Sequence, residues 1–146
     1  MHRDYPFVRI LPQTLPALAW YLGGQRYVNT FAHPKEIFDF CELYNSIDLC
    51  LDISHLAMSC EFYGLNFISS FEELKNYAIH FHLSSAKGVD DEGLPLYESN
   101  LATKELLISI LDSCKSENKT AIVETWHGHL NNGIGFVQDI KFLNNL

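Results

Sequence analysis

Three short stretches carry the residue types that hold metals and move protons: D-I-S-H at Asp52 to His55, H-F-H-L at His80 to Leu83, and E-T-W-H-G-H at Glu124 to His129. In the first, a carboxylate and an imidazole can converge on one point above a sheet. Alternatively, Asp52 and Ser54 cap a following turn while His55 is merely exposed. In the second, residues two apart on a strand share a face, so both imidazoles point the same way. His80 lies deeper and reads as a core histidine; His82, nearer the strand end, is the better ligand. In the third, Glu124 stands where a strand leaves its sheet, ahead of a loop rich in Gly and Asn that is otherwise simply solvated. Asp52, His82 and Glu124 fall at the same end of three successive strands, and such side chains can surround one cation. A mixed carboxylate and imidazole shell suits Mn, Zn, Co or Mg, and ligand type alone does not choose among them.

Those positions depend on alternating strands and helices. Phe7 to Leu11 is expected to be a strand, Pro34 to Tyr44 a helix with Pro at its first position, and Ile47 to Leu51 a second strand. A polar loop leads to S-F-E-E, Ser70 to Glu73, a capping box that opens a second helix. Tyr77 to Leu83 is a third strand. After a Gly-containing loop, Thr103 to Cys114 repeats Leu106, Leu107, Ile110 and Leu111 at helical spacing. Thr120 to Val123 is a fourth strand, and a last helix runs from about Phe136 to Leu143. Four βα units in a single domain over residues 1–146 predict an α/β fold, half of a (β/α)8 barrel, with its chemistry at the C-terminal ends of the strands. A closed barrel of this kind takes eight strands, so a second chain or copy, an opened sheet, or a truncated reading frame is expected to account for the rest.

Composition narrows the partners. Among 146 residues, 18 acidic against 10 basic side chains give a net charge of -8, which opposes a polyphosphate backbone and argues against nucleic acid. No stretch approaches the roughly 20 apolar residues of a membrane span, and M-H-R-D-Y-P-F-V-R-I lacks a signal-peptide core, so a cytoplasmic protein is expected. The four cysteines form no C-x-x-C pair and read as reduced core thiols.

D-I-S-H, then H-L-S-S-A-K-G-V-D-D-E-G, then V-E-T-W, in this order, resembles the xylose-isomerase-like barrel superfamily of sugar-phosphate isomerases, epimerases and apurinic endonucleases. P-A-L-A-W-Y-L-G-G-Q-R-Y-V-N and E-T-W-H-G-H-L-N-N-G-I-G-F are similar to the isomerase-like domain associated with sialic-acid-synthase-type proteins. The resemblance covers strands five to eight of the family barrel. It implies a metal held by Asp52, His82, Glu124 and a carboxylate ending the preceding strand, with His55 facing the substrate or a second metal. It also implies a proton taken and returned by carboxylates, Glu124 among them, beside a metal-polarised carbonyl.

The chain departs from that pattern in three places. Gln13 is the best match for the missing carboxylate; its amide oxygen can still coordinate a metal weakly, but it cannot take a proton. Ser85 stands where the family usually has Asp, and Y-E-S, Tyr97 to Ser99, replaces a Gly-x-Gly loop that approaches phosphate. Asp90 and Glu92 are possible extra ligands or simply solvated. Trp126, with His127 and His129, could line a substrate cleft, though packing of the loop is the plainer role for the indole. Arg26 in G-G-Q-R-Y could grip a phosphate or carboxylate, or be a surface Arg. The expected function is a divalent-metal-dependent sugar or sugar-phosphate isomerase or epimerase, within nonulosonic sugar biosynthesis if the closer likeness holds. The alternatives are a non-catalytic half barrel that binds sugar or docks on a partner, and, last, an endonuclease-like hydrolase.

Overall fold

The computed structural model describes residues 7–18, 28–98 and 103–146. In chain order the elements are α1 (Pro34–Leu43), β1 (Leu49–Asp52), α2 (Ile53–Tyr63), α3 (Phe67–Leu74), β2 (Ala78–Leu83), β3 (Ser85–Lys87), β4 (Asp91–Leu94), α4 (Lys104–Ser116), β5 (Thr120–Val123) and α5 (Leu130–Leu143), with a single 3-10 turn at Leu96–Glu98. β1, β2 and β5 form a parallel sheet in that order, and β3 and β4 form an antiparallel hairpin after β2. Parallel strands joined through helices make this an α/β fold.

Register divides the sheet into two chemically distinct faces. Cys50 pairs with His80 and Asp52 with His82, while His80 and His82 pair with Thr120 and Ile122. Because side chains alternate along a strand, these residues share one face. The other face carries Leu49, Leu51, Phe81 and Leu83, which pack with Ile37, Cys41, Leu56, Cys60, Phe71, Leu74, Leu107 and Ile110 of the helices into one buried cluster. Each such large side chain contributes on the order of 1.5–3 kcal/mol by leaving water. The hydrophobic driving force therefore sits on the helix side of the sheet.

Several boundaries differ from the sequence expectation. The strand expected at Phe7 to Leu11 does not form; pairing begins only at an isolated parallel bridge between Gln13 and Cys50, flanked by Cys50 N–H to Pro12 O and Thr14 N–H to Cys50 O. Prolines at 12 and 16 remove two ladder donors from this edge. The polar loop expected after β1 is helix α2. It is buried on most sides, from Ile53 and Ser54 to Cys60, and so shows little of the one-sided periodicity that marks a surface helix. α3 starts at Phe67, not at Ser70, because the Asn66 side chain accepts from Ser69 N–H and claims the cap first. The Gly-containing loop after β2 is the β3–β4 hairpin. α5 is kinked where Asn131, Asn132 and Gly133 take positive φ, so its regular part begins just after them and contains the expected Phe136 to Leu143.

Asp139 of α5 is fully buried and ties three segments together. Its carboxylate accepts from Leu96 N–H at 2.8 Å and from the Thr125 hydroxyl, joining α5 to the turn after β4 and to the loop after β5. Removing it strands two buried donors. Asp139→Ala is expected to lower stability by about 2–4 kcal/mol, with Asp139→Asn less costly, as measured by urea unfolding.

Candidate metal centre

Asp52 is the last residue of β1 and the N-cap of α2, and its two oxygens have separate tasks. Oδ1 accepts from His55 N–H at 3.0 Å and from Ser54 Oγ at 2.8 Å, closing the first turn of α2. Oδ2 faces the inner side of the sheet, 3.2 Å from Gln13 Nε2 and 3.6 Å from His82 Nδ1. His55, its side chain 15% exposed, is not simply on the surface, but Asp52 does cap the helix as the plainer reading of D-I-S-H has it. The backbone beneath it is pinned by Asp52 N–H donating to Thr14 Oγ1 at 3.0 Å. Only 1% of Asp52 is exposed, so its charge is little screened by water.

His82, on β2, brings Nδ1 within 2.5 Å of Glu124 Oε2, and Glu124 follows β5 directly, held by its N–H to Leu83 O. One ligand atom from each of Asp52, His82 and Glu124 lies within 4.8 Å of the others. The set of two carboxylates and one imidazole matches what a divalent cation takes. A contact beside it points the same way. Gln13 Nε2 sits 3.2 Å from His82 Nδ1, yet that nitrogen must carry the proton it shares with Glu124, so two donors oppose one another. A cation in place of the proton removes that conflict, and the Gln13 amide, turned over, would offer it an oxygen.

His55 stands on the first turn of α2 with both ring nitrogens engaged. Nδ1 is 2.8 Å from Thr14 O, an acceptor only, so Nδ1 carries a proton. Nε2 lies 3.2 Å from Glu92 Oε2, an ion-pair distance at an angle outside an ordinary hydrogen bond, so that oxygen has no hydrogen-bond partner among the described residues. Burial lowers the His55 imidazole, but Glu92, the Asp52 charge and the Thr14 carbonyl together raise it. Glu92 is buried in β4 and serves His55; the expectation that it is a loop carboxylate is corrected by the hairpin.

Asp90 lies at the exposed hairpin turn, and neither it nor Glu92 joins the ligand groups found among the described residues. Trp126 packs on the hairpin: its backbone N–H donates to Gly93 O at 2.7 Å, and a Cβ on Gly93 (φ +66) would lie 2.1 Å from the indole. His127 and His129 are exposed, with ring centroids 6.5 Å apart, outside the ligand groups. Arg26 lies outside the described residues, as does Ser99 of Y-E-S. Ser85 is buried with its hydroxyl lacking a partner among the described residues. Thr14 was not singled out in the sequence; a hydroxyl beside Gln13 at a strand end was the only cue.

Charge balance sets a pH response. Burial would raise the Asp52 carboxyl, but the His82 contact, the His55 charge and the donors of His55 and Ser54 hold it below its usual 3.8. Asp52 and then the Cys50 thiol push His82 up to about 10 against its own burial. The Glu124 charge, 2.5 Å away, acts in the same direction. The raised imidazole stabilises the metal-free fold fully below 6.5 and loses that contribution as pH climbs towards about 10; the lowered carboxyl stabilises above 3.8 and loses it on acidification. In chelator, the denaturation midpoint should therefore fall from neutral to alkaline pH, and His82→Asn should flatten that limb.

No family model matches the chain, and no curated protein matches it. Among solved structures, the chain is similar to the crystal structure of the probable 3-DHS dehydratase AsbF involved in petrobactin synthesis from Bacillus anthracis, with a TM-score of 0.63 and 16% identity. The match covers 94% of this chain and 50% of that one, so the chain spans half the length of the structure it resembles. No helix among the described residues is long and apolar enough to cross a membrane. The likeness shows the fold: the described residues form part of a β/α barrel.

Proposed function

We propose that this chain carries the metal-binding half of a sugar-processing barrel, an isomerase or epimerase acting on a sugar or sugar phosphate. The observation that carries the reading is the convergence of Asp52, His82 and Glu124, from three neighbouring parallel strands, within 4.8 Å. Strand ends are where barrels of this architecture place their chemistry. The fold shared with a probable dehydratase supports a small-molecule substrate, and the net charge of -8 counts against an endonuclease-like role. Within this reading, the closer sequence likeness favours sugars of the nonulosonic type.

Asp52, His82 and Glu124 would hold a divalent cation of the Mn, Zn, Co or Mg class, which supplies Lewis acidity to a carbonyl and its neighbouring hydroxyl. Glu124, half exposed, is the carboxylate placed to take and return a substrate proton. Gln13 cannot share that work. His55 is the second candidate; with Nδ1 held by Thr14 O, its Nε2 would have to turn from Glu92 to exchange a substrate proton.

A second reading takes account of the inner face. Ile122 is 46% exposed there, and Ile134 and Ile140 of α5 are also exposed, which favours a half barrel that docks on a second chain or copy. Sedimentation decides: catalytic turnover by a stable monomer would reject it.

Calorimetric titration with Mn(II) tests the first reading, together with solvent deuterium incorporation into aldose and ketose phosphates read by mass spectrometry. Asp52→Asn is expected to weaken ion binding by roughly 100-fold, and Glu124→Gln to abolish isotope exchange. An ion affinity indifferent to Asp52→Asn would sink it.

A further inference from the structure

Below the strand-end ligands, the same inner face holds a second cluster of softer character. Cys50 and His80 are register partners across β1 and β2, and His82 follows two residues on, on the same face. Each offers a donor atom, and these atoms all lie within 4.8 Å of one another. Cys50 is 5% exposed and both imidazoles are partly buried. A buried thiol ordinarily packs as a small hydrophobe among aliphatic neighbours. Here its register partner is an imidazole, with another beyond it.

His80 is oriented as metal-binding imidazoles are. Its Nδ1 is 2.6 Å from Thr120 Oγ1 on β5, which fixes the ring and leaves Nε2 for an ion. Ligating histidines are held in this way through the other nitrogen. The two rings stand edge to face with centroids 5.2 Å apart, so they converge without stacking.

We propose that Cys50, His80 and His82 form a second cation site, one layer down the inner face, selective for a thiophilic divalent ion such as Zn(II). Thiolate and imidazole favour zinc, whereas the oxygen-rich group above suits Mn or Mg. Three protein ligands leave a fourth position open to water or an incoming donor. Binding releases the thiol proton as the Cys50 thiolate bonds the ion. His82 belongs to both groups. The lower site stands on its own residues and does not rest on the catalytic reading.

Cobalt distinguishes the two sites, because only a thiolate ligand gives a sulfur-to-cobalt charge-transfer absorption. Reduced protein spanning residues 1–146, freed of metal, is titrated with Co(II). A saturable band is expected, displaced by Zn(II), absent in Cys50→Ser, and requiring about tenfold more Co(II) in His80→Asn. The band should persist in Glu124→Gln, while Mn(II) binding should be lost in Glu124→Gln and kept in Cys50→Ser. Circular dichroism checks that the variants fold; should Cys50→Ser not fold, zinc protection of Cys50 from alkylation in the unaltered protein, read by peptide mass spectrometry, replaces it. Absence of the band, or its survival in a folded Cys50→Ser, which would move it to Cys41, Cys60 or Cys114, overturns the site. Lack of zinc protection does the same.

Discussion

The arrangement depends on one buried carboxylate used on two sides. Asp52 caps α2 through one oxygen and offers the other to the inner face. Capping fixes where α2 starts, and that start places His55 one turn along against Thr14 O. The backbone N–H of Asp52 in turn holds Thr14, which keeps Gln13 alongside β1. A charge this deeply buried is costly unless compensated, and the compensation comes from the groups that face the ligand site. Helix geometry and site electrostatics are consequently not separable here.

The sequence made the strand-end pattern readable because it is local. Thr120 to Val123 matches β5 at both ends, and alternation within H-F-H-L correctly puts His80 and His82 on one face. Proline at the first helical position marked α1, and the spacing of Leu106, Leu107, Ile110 and Leu111 marked α4. What stayed hidden depends on contacts between distant segments. α2 is enclosed by the sheet, α3 and the hairpin, so its outward-facing polar stripe is missing and its period is blurred. Glu92 reads as a solvated carboxylate until the hairpin folds it onto His55, a partner 37 positions away that no local pattern could indicate. Cys50 reads as a core thiol for the same reason: its neighbours are set by register between β1 and β2, not by spacing within either strand.

Gln13 shows how one residue alters the chemistry while preserving the geometry. Its amide reaches both Asp52 Oδ2 and His82 Nδ1 at 3.2 Å, the place a fourth ligand would take. An amide is neutral, so the group keeps two carboxylates against one raised imidazole. With only two negative charges, a divalent ion is neutralised, and a carboxylate at position 13 would leave an excess negative charge in a poorly screened pocket. An amide at this place supplies no base and adds no negative charge beside Asp52.

The two faces of the sheet divide folding from chemistry. Leu49, Leu51, Phe81 and Leu83 are buried under the helices, where close packing holds the strands in register. The opposite face carries Cys50, Asp52, His80, His82 and Thr120, where closed barrels place layers of branched aliphatic side chains. Polar side chains tolerate water in a way that such layers do not, so this face remains compatible with an open sheet. Ile122 is the exception, an apolar side chain left 46% exposed among them. A face built of ligand types and held rigid from behind keeps its donors in place without packing in front of them, and that is the condition for an ion or substrate to reach them.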